Sequence, residues 1–96
     1  MDIALLIETK NYQKVNDILK KDEVVSLASI TFRDARIIGK EGYCCLISGL
    51  EQQCKKALEL TEDLAKEITG SEKEMLIKKL KEEENKAVEG FGAILG

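Results

Sequence analysis

Residues 3–7, IALLI, form an unbroken apolar run that is followed at once by the polar turn TKN. A run this short suits a buried strand or a fragment of buried helix, and the turn behind it selects the strand. From there apolar side chains recur at Tyr12, Val15, Ile18 and Leu19, the stripe of an amphipathic helix with Asn11 at its N-cap. The β-branched stretch 24–38, VVSLASITFRDARII, predicts a strand. Ala28, Ile30 and Phe32 share one of its faces; Leu27, Ser29, Thr31 and Arg33 share the other. GKEG at 39–42 is a hairpin signal, because its two glycines can take the positive φ that a short loop needs, and YCCLIS at 43–48 returns as the next strand.

Ser48 and Glu51 have capping-box spacing, and Leu50, Cys54, Ala57, Leu58, Thr61, Leu64, Ala65 and Ile68 then recur in steps of three and four. This predicts a helix reaching Ile68 and ended by Thr69-Gly70. A second capping box, Ser71 with Glu74, opens another helix with Leu76, Leu80, Ala87 and Val88 inward and KEEENK on its wet side. GFGAILG at 90–96 reads as a short last strand or a loosely held tail. The chain thus predicts a single domain over residues 1–96 of α+β class, with elements in the order βαββα plus an extra C-terminal helix. If GFGAILG pairs, the plan is ferredoxin-like: an antiparallel sheet with its helices on one face.

The strands at 3–7 and 43–48 are apolar on both faces, with Ile3, Leu5 and Ile7 opposing Ala4 and Leu6, and Cys45 and Ile47 opposing Cys44 and Leu46. An antiparallel sheet with one wet face should alternate instead. At about 25 cal/mol per Å² of apolar surface, leaving one face in water would forfeit several kcal/mol. Either the last helix folds across that face or a second subunit packs on it. Exposed apolar patches commonly mark interaction sites, so the expectation is a homo-oligomer assembled through the sheet.

Composition narrows the function classes. The chain has 15 basic and 18 acidic side chains, a formal charge of −3 and no histidine. It lacks the basic excess of a phosphate-binding surface, and Tyr43 is the one aromatic in its strand, so no nucleic-acid partner is expected. No apolar window approaches membrane-spanning length, and MDIALLIETK lacks the basic start of a signal peptide, so the chain reads as a soluble cytoplasmic protein with no membrane partner.

Three cysteines, Cys44, Cys45 and Cys54, sit within eleven residues of one another. Neighbours on a strand point to opposite faces, no CxxC is present, and no histidine completes a zinc set. The thiols therefore read as small apolar packing groups, with no metal or other cofactor implied, and a redox-sensitive thiol stands as the alternative. With no general base of the usual kind, the chain is expected not to be an enzyme. The densest polar cluster in a strand region is Arg33, Asp34 and Arg36 beside the Gly39, Lys40 and Gly42 turn. These six are the candidate contacts for a small-molecule ligand seated between subunits, and the competing reading of the charges is protection of a strand edge. The G-x-x-G of this turn joins two strands and lacks the G-K-[ST] of a nucleotide loop.

LIETKN at 6–11 and IIGKEGYCCLISGLEQQCKKALE at 37–59 resemble the shell-protein domain of bacterial microcompartments. There a strand ending in ETKG precedes the first helix, and a glycine-bearing pore loop leads through a strand and a glycine into the second. The resemblance covers about 40 residues and implies that residues 39–42 would line a hexamer pore and that Lys10 would lie near the edge between neighbours. Lysine and glutamate take the place of the family's alanine, and its proline-containing end is missing. The functional expectation is a non-enzymatic regulatory or assembly module that self-associates, with a shell-like structural protein or a thiol-dependent redox protein as alternatives.

Overall fold

A computed structural model describes the backbone of residues 1–95 and the side chains of residues 1–83. The chain forms strand β1 (Asp2–Ile7), helix α1 (Tyr12–Lys21), strand β2 (Ser29–Asp34), strand β3 (Tyr43–Ser48), helix α2 (Glu51–Leu60), strand β4 (Ala65–Ile68) and helix α3 (Gly70–Leu95). Short 3-10 turns at Thr9–Asn11, Val25–Leu27 and Ala35–Ile38 join them. The four strands make one antiparallel sheet in the order β2-β3-β1-β4, which places β1 and β3 at its centre and β2 and β4 at its edges.

The register decides which residues share a face. Leu5 stands opposite Cys45 and Cys45 opposite Phe32, while Ala4 stands opposite Leu46 and Leu46 opposite Thr31. On the first face, Ile3, Leu5, Ile7, Cys45 and Ile47 pack against Val15 and Leu19 of α1 and against Cys54 and Ala57 of α2. Tyr12 stacks on Tyr43 with ring centroids 4.2 Å apart and meets the ring of Phe32 edge-on at 5.2 Å. These aromatic faces are therefore occupied in packing.

The second face also has a cover made by the same chain. Ala4, Cys44 and Ile68 are buried there under Leu76 and Leu80 of α3, with Ala35 and Ile38 of the 3-10 turn beside them. The expectation of helices on one face only is thereby corrected: α1 and α2 lie on one side and α3 on the other. The apolar second face is closed within one chain, so it creates no need for another subunit. Leu76 and Leu80 belong to the predicted inward stripe, whereas the inward placement of Ala87 and Val88 lies outside the described side chains.

Three further expectations are corrected. The second helix stops at Leu60 and does not reach Ile68. Thr61 turns its hydroxyl back to the Ala57 carbonyl at 2.7 Å, and the amides of Leu64 and Ala65 both donate to the Thr61 carbonyl, closing the turn into β4. The place beside β1 that a last strand from 91–95 would fill is taken by Ala65–Ile68, and those later residues continue α3. The start of α2 also differs, since its N-cap is Leu50, whose amide donates to the Gln53 side chain at 2.8 Å, while Ser48 remains in β3 opposite Asp2 and Ser29.

Leu5→Ala, at the centre of the first face, is expected to cost about 2–5 kcal/mol in urea unfolding. Leu27→Ala, at a side chain 80% exposed, should change stability by no more than about 0.5 kcal/mol. Equal effects would contradict the packing described.

Candidate functional site

The six residues singled out in the sequence lie at the end of β2 and in the connection to β3, where most of them brace the backbone or α3. Asp34 Oδ1 accepts from the Arg36 amide at 2.9 Å, and its Oδ2 receives Arg36 Nε and Nη2 at 3.1 and 2.8 Å. The guanidinium and the amide of Arg36 together hold the Asp34 carboxyl below its usual range, and Asp34 in turn raises Arg36. This pair caps the 3-10 turn, which Gly39 closes in the left-handed region at φ 73°.

Arg33 reaches α3, with Nε 2.8 Å from Glu83, and Lys40 does the same, with Nζ 3.2 Å from Glu72. All four side chains of these two bridges are a little under half exposed. Arg33 has a second task. The Ala35 amide donates inward to the Gly42 carbonyl, so strand alternation turns the Phe32 carbonyl to the open edge of β2, where Arg33 Nη1 donates to it at 2.7 Å. Gly42, at φ 93°, lies so close to β1 that a side chain there would meet the Ile7 carbonyl. Lys10 pairs with Glu8 at 3.3 Å in its own turn.

All three cysteines are buried, and the side chains of Cys44 and Cys45 point to opposite faces. Burial is the main cause that pushes each thiol up, Cys45 to about 12 with Cys44 as a further contribution. A thiol held protonated is a poor nucleophile and a poor metal ligand. Among the described residues no three His, Cys, Asp or Glu side chains gather as a metal site, and no helix is long and apolar enough to cross a membrane.

One concave feature of the fold lies beside α3. The helix covers the apolar part of the second face and leaves the Asp2, Ser48 and Ser29 row uncovered, these three standing side by side across β1, β3 and β2. Thr31 and Leu46 continue that floor, Ile77, Leu80 and Lys81 of α3 form the wall, and Arg33 stands at the rim of a cleft of about 300 Å³. Of the six candidates, only Arg33 lines it. The alternation of Ser29, Thr31 and Arg33 along one face of β2 was visible in the sequence. Their juxtaposition with Asp2 and α3 was not, because it depends on strand register and on where the last helix lands.

Comparison with protein-family models, with curated proteins and with solved structures finds no match.

Gly39→Ala is expected to cost about 1–2 kcal/mol, the usual penalty for a Cβ in left-handed backbone, since no atom stands in its way. Gly42→Ala should cost clearly more, because strain and a collision with the β1 backbone add together. Thermal or urea unfolding of the two variants checks the order.

Proposed function

We propose that this chain is a small non-catalytic binding module on the ferredoxin-like plan, βαββαβ with α3 added. Its ligand seat is the cleft between α3 and the polar end of the second sheet face. The strand order β2-β3-β1-β4 and the helix after each of β1 and β3 support the plan. The single observation that carries the function is the mixed lining of that cleft. Three hydroxyls and an exposed carboxylate form its floor, an apolar helix face forms one wall, and Arg33 and Lys81 stand at its border. Binding sites for small polar molecules combine an apolar contact surface with a few converging polar groups in this way, and about 300 Å³ lies at the small end of their usual size.

A catalytic reading finds no nucleophile paired with a base, since the chain lacks histidine and its thiols are buried and held protonated. Self-association through the sheet loses its motive, because α3 occupies the apolar area that would have driven it.

A screen of small hydroxylated and acidic metabolites against ¹⁵N-labelled protein tests the proposal. Binders should shift the amides of Ser29, Thr31 and Ser48, and Thr31→Leu, which fills the cleft, should weaken them by about tenfold or more. Binders that shift only distant amides, or that bind Thr31→Leu unchanged, would overturn it.

A further inference from the structure

We infer that α3 is a displaceable cover, which lifts from the second sheet face about Thr69 and Gly70 while the first face and its two helices stay folded. The two faces are anchored very differently. The first face presents the large side chains Ile3, Leu5, Ile7 and Ile47 to two helices, and Tyr12 adds an aromatic contact with Phe32 and Tyr43. The second face combines the small groups Ala4, Ala35 and Cys44 with Ile38 and Ile68, has Leu6, Ile37 and Leu46 only partly buried, and among the described residues of α3 meets the buried side chains of Leu76 and Leu80. Among the described residues, lifting α3 bares less apolar area than lifting α1 and α2 would, and the less deeply anchored element of a domain opens at the lower free energy.

The polar anchors point the same way. The Lys40–Glu72 and Arg33–Glu83 bridges, which tie α3 to the sheet, are partly exposed on both sides, and exposed ion pairs hold weakly and are screened by salt. At the hinge, Gly70 sits at φ 65° with no neighbouring atom within 4 Å of where a Cβ would project. No strand pairing is lost when α3 lifts, since every ladder partner of β1 lies in β3 or β4. Opening would remove the wall of the cleft and uncover Ala4, Cys44 and Leu46 together. The inference concerns the hinge and the cover alone, and it holds whether or not the cleft takes a ligand.

Two adjacent thiols make the test internal. Cys44 lies on the face that α3 and the 3-10 turn Ala35–Ile38 cover, and Cys45 lies beneath α1 and α2. Alkylation of the full chain with N-ethylmaleimide under native conditions, localised by fragment-ion mass spectrometry, reads each face separately. Cys44 should label faster than Cys45. The double variant Lys40→Gln, Glu83→Gln should raise the ratio of the two rates by about threefold or more, and added salt should raise it in the wild-type chain. Because the readout is a ratio, a variant that merely loses global stability moves both rates together. Rates for Cys44 and Cys45 that coincide in wild type and rise in step in the variant would overturn the inference, since α3 would then belong to the global folding unit.

Discussion

The central strands β1 and β3 are apolar on both faces, and every other element is arranged to keep water from them. Ile3, Leu5 and Ile7 face one way, Ala4 and Leu6 the other, and Cys45 and Ile47 oppose Cys44 and Leu46 in the partner strand. Such strands need a layer on each side, because wet apolar area of this extent would cost an amount comparable to the stability of a small domain. α1 and α2 supply one layer and α3 the other. With the second layer in place, the charged rim and the glycine turn are also parts of a three-layer unit. The charged rim braces α3, the glycine turn fits against β1, and Arg33 guards the open edge of β2.

What could be read from the sequence was whatever depended on neighbouring residues. A helical stripe located α1, β-branched content located β2, and apolar runs beside turn signals located β1 and β3, all of them local features. The stretch from Thr61 to Ile68 defeated that logic. Leu64, Ala65 and Ile68 continue a helical stripe, yet Ala65–Ile68 pairs with β1, a partner far away in the chain. The helix stops where the buried Thr61 hydroxyl bonds back to Ala57, a contact that spacing alone does not announce. The last helix was legible as an amphipathic helix with Leu76 and Leu80 inward, but local spacing could not decide whether it or a second subunit covers the second face.

The candidate site shows the same boundary between local and distant information. The clustering of Arg33, Asp34 and Arg36 was apparent, and the Asp34–Arg36 pair is indeed a two-residue contact. The partner of Arg33, however, is Glu83, 50 residues away, so its ion pair with α3 could not be read from the local cluster. The cysteines could be interpreted from sequence because strand alternation alone separates Cys44 from Cys45.

The central claim is that one chain covers both sides of its own sheet, and the dependence of unfolding on protein concentration tests it most directly. If each molecule is complete, the urea midpoint stays constant over about a hundredfold range of concentration, as mass action requires when folding involves no partner. A midpoint that climbs steadily with concentration would mean that a second copy completes the fold, and the assignment of α3 as the second layer would fail.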